Sequence, residues 1–322
     1  FKSNSIEVQV LYGSITSQNQ NTSNEPSDTN IITGPDPSET KLFVRYKLSR
    51  NEVYVSEQIS LEVWLFTREG GLEIQDLKIP KRDGFWLETI KLQKSDQMAQ
   101  NATVGGIPYN AYLLSRQILF PLEAKTYHIE SAVVEAVTGG SFFSIGRKII
   151  RQTQPIEISA KELPLPFPND FRPSNVGQYS IKAEVNKSNT NQGDPITLRI
   201  IIEGNGNFKN IQLNQKPLIN NWKIYDPTIT TMGDFVQGLL FGKKTFEYLI
   251  VPQNSGAYHV GPFHITYFDP TNDKYETAQT QPIMVQVSAS QELSTDTHHS
   301  QKEIPKNTLS PESRFRPLYV GA

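Results

Sequence analysis

Histidines are the residues of this chain best suited to chemistry, and their spacing argues against it. The chain has five. His128 and His259 follow a tyrosine at matching places in two similar segments. A catalytic histidine seldom survives in both halves of a duplication, so we predict a structural Tyr–His pair at the start of a strand in each copy, with one ring packed and the other exposed to solvent. His264 lies close behind His259, at a spacing that would put the two on opposite faces of one strand. We therefore expect no shared metal site.

Asp269 and Asp273, with Asn272 between them, suggest either a calcium loop or a hairpin turn. The bidentate glutamate that closes an EF-hand loop is missing from this spacing. Asp-Pro and Asn-Asp are turn formers, and FDPTNDKY suits a turn between two aromatic strands. We predict the turn and leave calcium binding at this loop open.

Other catalytic patterns are weak. Gly204 and Gly206 follow a predicted strand with no helix behind them, which favours a β-turn over a phosphate loop. His298 and His299 lie in a polar tail that we expect to be solvated. No histidine has an obvious acid partner, and the sequence lacks G-x-S-x-G. The absence of cysteine removes thiol nucleophiles and Cys-ligated metals. We predict a protein that is not an enzyme and has no catalytic residues, cofactor or metal.

The elements that must position these residues come from a duplication. Residues 118–129 read ILFPLEAKTYHI, and residues 249–260 read LIVPQNSGAYHV. QISLEVWL at 58–65 matches PITLRIII at 195–202. Apolar residues alternate with polar ones in the same phase in both copies, which is the period of a strand. The inward-facing residues are predicted to be Ile59, Leu61, Val63 and Leu65, and then Ile196, Leu198, Ile200 and Ile202.

This pattern predicts an all-β protein of tandem immunoglobulin-like antiparallel β-sandwiches joined by flexible and Pro-rich linkers, with a barrel or jelly roll as the less favoured alternatives. The predicted sandwiches are 41–160 and 174–288. We expect 1–13 to hold the last strand of a truncated preceding β domain, 14–40 to be a disordered linker and 161–173 a stiff Pro-rich linker. The last predicted segment is a polar tail, 289–322, which leads to a presumed membrane anchor.

Charge and hydropathy limit the partners. The net charge is −2, without the basic surplus that binding to a phosphate backbone requires. We expect no nucleic-acid partner. No apolar run reaches the ~18–20 residues of a membrane span. The chain begins within a strand pattern at Phe1, so we expect it to be part of a longer protein.

Three tryptophans are candidates for packing or contact. Trp86 and Trp222 occupy similar places in the two copies, and we predict that both are core anchors. Trp64 falls on the outward face of its strand. It marks a possible interaction surface for protein or sugar, although burial at an edge or between domains explains it equally well.

Several of these segments resemble the BatD-like (oxygen tolerance, Bacteroides aerotolerance) family. They are NEVYVSEQISLEVWL at 51–65, GFWLE at 84–88, LFPLEAKTYHI at 119–129 and the long segment 251–283. FKSNSIEVQV resembles the close of that family's first domain, and RFRPL the approach to its membrane helix. The long polar insert at 14–40 is not expected of the family.

The resemblance implies a bacterial cell-envelope protein on the periplasmic side, anchored to the inner membrane by a helix outside this chain. It implies von Willebrand A-domain membrane proteins and other products of the same operon as partners. It supplies no catalytic residues. We therefore expect a non-enzymatic scaffold of an aerotolerance, or stress-survival, system. The alternative is a carbohydrate- or surface-binding adhesion module, and an enzyme is the weakest of the three hypotheses.

Overall fold

The computed structural model describes residues 40–139, 146–213, 216–236 and 238–290, together with the backbone of residues 6–7 and 31–32. Every secondary-structure element within these ranges is a β-strand, as the alternating pattern predicts. The described residues up to Ala289 belong to one compact unit. The predicted end strand at 1–13, linker at 14–40 and tail at 289–322 lie largely outside the described residues, as do His298 and His299.

The strands fall into two series that follow the duplication. Two short strands precede the first sandwich, β1 (Ile6–Glu7) and β2 (Ile31–Ile32). The first sandwich contains β3 (Leu42–Leu48), β4 (Glu52–Tyr54), β5 (Ile59–Thr67), β6 (Glu73–Lys78), β7 (Phe85–Ile90), β8 (Gln100–Val104), β9 (Ile107–Pro121), β10 (Thr126–Ile129), β11 (Val133–Thr138), β12 (Arg147–Gln152) and β13 (Ile156–Lys161). The second contains β14 (Gly177–Val185), β15 (Asn189–Asn191), β16 (Ile196–Gly206), β17 (Trp222–Ile224), β18 (Thr228–Val236), β19 (Leu239–Pro252), β20 (Gly256–Val260), β21 (His264–Asp269), β22 (Lys274–Gln279) and β23 (Ile283–Ser288).

The central strands of the sheets follow the same order in both sandwiches. In the first, one sheet runs β1-β8-β9-β5-β3-β2 with β7 also on β9, and β10-β13-β4 and β12-β11-β6 form smaller sheets. In the second, the corresponding sheets are β14-β16-β19-β17 with β18 also on β19, then β15-β23-β20 and β21-β22. Pairing is antiparallel except between β1 and β8, β4 and β13, and β15 and β23. The structure is thus a tandem of immunoglobulin-like antiparallel β-sandwiches.

The inward phase predicted for the paired strands is confirmed. Ile196, Leu198, Ile200 and Ile202 are fully buried, whereas Arg199 between them is exposed. The equivalent residues Ile59, Leu61, Val63 and Leu65 of β5 are buried as well. On β5 the opposite face is also covered, because Ser60 and Glu62 are buried. Polar side chains are seldom buried without partners, so this second face must meet another part of the protein.

The β-turn predicted at Gly204 and Gly206 is wrong. Both glycines lie inside β16, where Gly204 pairs with Tyr179 on one side and Gly242 on the other. A Cβ on Gly204 would overlap Tyr179 and the carbonyl oxygen of Gln178. Glycine is needed here because neighbouring chains approach closely, which is one of the known uses of glycine within strands.

The prediction of Trp86 and Trp222 as equivalent core anchors is wrong for Trp86. Trp222 is buried and lies opposite Pro252, but the residue opposite the equivalent Pro121 is Phe85. Phe85 is buried, and Trp86 is 41% exposed. Adjacent residues of a strand point to opposite faces, so a shift of one position turns the tryptophan outward.

The two sandwiches pack directly on each other through the covered face of β5 and β9. Leu119 faces the core of the first sandwich, while its neighbours Ile118 and Phe120 belong to the buried cluster of the second. The tip of the β18–β19 hairpin reaches this surface, where the N–H of Leu240 donates to Oε1 of Gln58 at 2.8 Å. Each sandwich therefore completes the burial of the other.

The Pro-rich segment 161–173 is packed between the sandwiches. Leu163 and Phe171 are buried in one cluster with Tyr54 of the first sandwich and Phe268 of the second. The Phe171 ring lies 4.8 Å from that of Tyr275, whose hydroxyl donates to the carbonyl of Pro164. The segment is thus held through its two buried residues, Leu163 and Phe171, whereas Leu165 and Phe167 between them are exposed.

Candidate interaction site

A cleft of about 600 Å³ opens between the two sandwiches. We call it the inter-sandwich cleft. The first sandwich contributes mostly charged and polar side chains from β3, β5 and β9, including Lys47, Glu62 and Arg116. The second contributes the tip of the β18–β19 hairpin, including Phe235. The cleft contains Trp64, the candidate contact residue of the sequence analysis.

An ion pair between neighbouring strands occupies this cleft. Nε of Arg116 donates to Oε1 of Glu62 at 2.6 Å, and Nε1 of Trp64 donates to the other oxygen at 2.7 Å. The Arg116 and Glu62 side chains are only 13% and 7% exposed. The guanidinium also lies 4.1 Å from the ring centroid of Phe235, a cation–π contact that joins the sandwiches.

A second carboxylate is held at the edge of the same cleft. Oε1 of Glu57 accepts a hydrogen bond from Arg50 at 3.0 Å, and Oε2 accepts one from the backbone N–H of Tyr54 at 2.8 Å. Burial raises the pKa of Glu57, and the Tyr54 and Arg50 donors partly oppose that rise. This carboxylate organises the turn from β4 to β5, next to the Gln58 that meets the second sandwich.

The chemistry of the cleft is that of a joint between domains. Glu62 and Glu57 are each held by a cation and an N–H donor. A carboxylate held in this way is poorly placed to act as a base or a nucleophile. The charges pair with one another, and burial strengthens their attraction. The contacts in this cleft fix the relative position of the two sandwiches. They thereby hold the exposed surfaces of both sandwiches in a defined arrangement.

Trp64 is half-buried in this joint. Its ring packs beside Phe66 at a centroid distance of 6.5 Å, and the ammonium of Lys47 lies 5.9 Å from its centroid. Its N–H is already used by Glu62. Little of the ring is left as an open platform for a ligand.

The described histidines lie apart on three strands. His128 is on β10, His259 on β20 and His264 on β21, so His259 and His264 do not share a strand. Two of them do have acid partners, contrary to prediction, at 3.0 Å: Glu157 for His128 and Asp170 for His264. Asp170 lies in the 161–173 segment and also accepts from Thr266, so this contact ties that segment to β21.

The turn predicted at Asp269 and Asp273 is confirmed, because Asp269 pairs with Lys274 across the β21–β22 hairpin. Burial opposes ionisation of Asp269, but hydrogen bonds from Thr271, Gln178 and Asn272 hold its pKa below the ordinary value. Asp273 instead accepts a hydrogen bond from the Tyr54 hydroxyl of the first sandwich, and this bond raises the pKa of Tyr54.

Within the described part of the chain, no group of three or more His, Cys, Asp or Glu side chains is gathered in a way that would hold a metal ion. Nor does that part contain a helix of the length and apolarity needed to span a membrane.

Sequence reasoning missed Arg116 and Phe235, which join the sandwiches. The signal present was a polar outward face on two matching strands, with Glu62 on one and Arg116 on the other. Pairing of those strands places the two charges side by side, but the alternation alone does not say what covers them.

The sheets and the buried cores define a tandem β-sandwich protein, and a comparison with families agrees. Residues 183–287 match the family model described as "BatD DUF11 like domain". This match lies within the second sandwich and confirms the family resemblance found in the sequence. A domain of this type fits a non-catalytic role in interaction. No curated protein matches the chain.

Solved structures give only remote similarities. The Yersinia pseudotuberculosis adhesin InvE is 10% identical over 74% of this chain and 58% of its own, with a TM-score of 0.17. The Escherichia coli adhesin FdeC is 11% identical over 80% of this chain and 66% of its own, also at 0.17. This chain thus spans less than two thirds of either adhesin. The type II cohesin dyad of the ScaA scaffoldin from Acetivibrio cellulolyticus is 10% identical over 76% and 95%, at 0.19. TM-scores this low do not establish a common fold.

Proposed function

We propose that this chain is the periplasmic part of a non-enzymatic, membrane-anchored scaffold of an aerotolerance system, which docks von Willebrand A-domain membrane proteins. The family match within the second sandwich and the wider BatD-like resemblance support the envelope location, the anchor outside this chain and the operon partners. The geometry supports the scaffold role.

The observation that carries this proposal is the joint between the sandwiches. Arg116 bridges Glu62 of its own sandwich and the Phe235 ring of the other, Gln58 holds Leu240, and Lys209 pairs with Glu88 across the boundary at 2.5 Å. These contacts give the tandem a defined shape. A scaffold needs such pre-organisation, because an ordered surface loses less conformational entropy on binding.

The test is affinity capture with the full-length, membrane-anchored protein from gently solubilised membranes. Capture should recover A-domain membrane proteins of the same operon, and a matched bait without residues 41–288 should not. Failure to recover A-domain proteins, under conditions that preserve other membrane complexes, would contradict the proposal.

One observation supports the alternative function of carbohydrate or surface adhesion. Trp86 is 41% exposed, so it offers the aromatic surface that Trp64 lacks. Co-sedimentation with peptidoglycan separates the two functions. Saturable binding that is lost in Trp86→Ala but kept in Leu122→Ala, a change at another exposed residue, would favour adhesion over the scaffold.

A further inference from the structure

Strand β18 is an open edge of the second sandwich. It is nine residues long, and all of them are exposed except the partly buried Phe235. It pairs with β19 on one side, and no other described strand pairs with it on the other. Proteins usually protect such edges with lysine, proline or a very short strand. The sequence TITTMGDFV has only Asp234 as a charge.

The register shows which backbone groups are free. Val236 pairs with Leu239 across a two-residue connection, and the residues that flank such a connection form a hydrogen-bonded pair. Alternation then assigns the even-numbered residues of β18 to bonds with β19. The N–H and C=O groups of Ile229, Thr231 and Gly233 point to the open side. The backbone of Phe235 is consistent with this assignment, because its N–H donates to the Oδ1 of its neighbour Asp234 at 2.8 Å and not to β19.

The first sandwich shows what can cover this edge. Its β8–β9 hairpin has the same place and the same two-residue connection, since Val104 pairs with Ile107. The outer edge of β8 is covered by β1, which runs parallel to it and pairs with Ala102 and Thr103. The fold therefore has a position for a parallel strand beside this hairpin. That position is filled in the first sandwich, and no described strand fills it in the second.

The side chains around the edge indicate which residues a complementary strand would carry. Met232 and Val236 are 71% and 46% exposed and share a face of the sheet, where Phe241 of β19 is 41% exposed. Asp234 lies between them on that face. Cross-strand neighbours interact directly through such rows. A complementary strand would carry apolar side chains beside Met232 and Val236 and a basic one beside Asp234.

We propose that the open edge of β18 binds an extended segment of a partner protein by parallel strand addition, with alternating apolar and polar side chains and a basic residue beside Asp234. This inference rests on the proposed scaffold function and names where docking occurs. Backbone bonds supply the affinity in this mode of recognition, and alternate side chains supply the specificity.

A peptide that copies residues 1–9 of this chain is the probe, because it contains β1 and, in the β1–β8 register, extends alongside Thr231. In the β1–β8 register, its residue 6 lies beside Ala102, whose place in β18 is taken by Asp234. A peptide with Ile6→Lys should therefore bind the full chain severalfold tighter than the unchanged peptide, measured by fluorescence polarisation. Asp234→Asn should remove that difference, and a scrambled peptide should not bind. Equal affinity of all three peptides would overturn the proposal.

Substitutions at three positions locate the contact. Thr231→Pro deletes an N–H on the open side and should weaken binding at least tenfold, whereas Thr231→Val keeps that N–H and should bind as before. Thermal unfolding verifies that both variants fold.

A disulfide cross-link tests the same contact independently. The chain has no cysteine. Met232→Cys should therefore form a disulfide with a peptide bearing cysteine at residue 4, and Met284→Cys, 59% exposed on β23, should not. Equal cross-linking at both positions would reject the edge, even if Thr231→Pro failed to fold.

The outcomes separate this inference from the scaffold function. If full-length Thr231→Pro still captures A-domain proteins and the peptides do not bind, the scaffold stands and the edge fails. If the peptides bind as described but no A-domain protein is captured, the edge stands and the scaffold fails. Loss of A-domain capture in Thr231→Pro, with capture retained in Thr231→Val, supports both.

Discussion

Glycines form a row across three neighbouring strands of the second sandwich. Gly204 of β16 lies opposite Gly242 of β19, which lies opposite Gly233 of β18. The ring of buried Phe208 covers Gly242 and Gly233, and a Cβ on either would overlap it. An aromatic ring over paired glycines restores the packing that their missing side chains would leave out.

Gly242→Ala should therefore destabilise the second sandwich through overpacking. We expect the free energy of unfolding to fall by about 1–3 kcal/mol, measured by urea denaturation. Gly70→Ala is the matched control, because a Cβ there meets nothing within 4 Å, and it should change little. Adding Phe208→Leu to Gly242→Ala should recover part of the loss. Equal effects of the two alanine changes would contradict this account.

Asp269 makes the stability depend on pH. Its pKa is lower in the fold than in the unfolded chain, because the donors of the turn favour its charged form. Its contribution is thus fully present above the unfolded value of about 3.9 and disappears as the pH falls through the folded pKa.

Asp269→Asn should lower the free energy of unfolding by roughly 1–3 kcal/mol at pH 7, and the difference from the wild type should shrink as the pH falls below about 4. Urea denaturation at a series of pH values measures this. Asp226→Asn, at a side chain that is 93% exposed, should follow the wild type at every pH. A constant difference across the series would mean that the charge of Asp269 does not matter.

At the residue scale, the sequence predicts what depends on alternation and turn chemistry. It predicts the buried face of β5 and β16 and the turn at Asp269. It does not predict that Phe85 is the counterpart of Trp222. Residue type aligns Trp86 with Trp222, whereas the backbone register places Phe85 opposite Pro121, as Trp222 is opposite Pro252. The sequence also suggests a turn at Gly204, because glycine occurs both where a chain bends and where two strands approach closely.

At the scale of elements, the β18–β19 hairpin is one of the parts of the second sandwich that engage the first. Its tip carries Phe235 to Arg116 and Leu240 to Gln58. The sequence gives no sign of this contact, because it depends on how two folded sandwiches meet and not on a local pattern. It does predict the sandwiches themselves, since each can be recognised from its own strands.

A double-mutant cycle between Arg116→Ala and Phe235→Ala should measure this hairpin contact. We expect a coupling energy of about 0.5–2 kcal/mol by urea denaturation, because the cation–π contact is partly desolvated. The cost of leaving Glu62 without Arg116 occurs in both halves of the cycle and cancels. A control cycle between Arg116→Ala and Leu218→Ala, at a residue 90% exposed, should show no coupling. Coupling of similar size in both cycles would contradict the assignment.

At the scale of the whole molecule, the 161–173 segment decides whether two sandwiches behave as one body. Phe171 is buried among residues of both sandwiches and of the segment itself. We expect the wild type to unfold in one calorimetric transition, because the sandwiches share buried surface.

Phe171→Ala should remove about 3–5 kcal/mol of packing and split that transition into two. Differential scanning calorimetry measures this directly. Phe167→Ala is the matched control, since Phe167 lies in the same segment but is 45% exposed, and it should keep a single transition. A single transition in Phe171→Ala, at a lower temperature, would show that the segment is not what couples the sandwiches.

The parallel pairs bear on how the chain responds to force. Near the start of each sandwich a short strand runs alongside the final one, β4 with β13 and β15 with β23. Tension between the start and the end of a sandwich acts along such a pair, so its hydrogen bonds are loaded together and must break together. The proposed tether between a membrane and a bound protein would be stretched in this direction. The sandwiches should resist stretching along the chain more strongly than peeling across it.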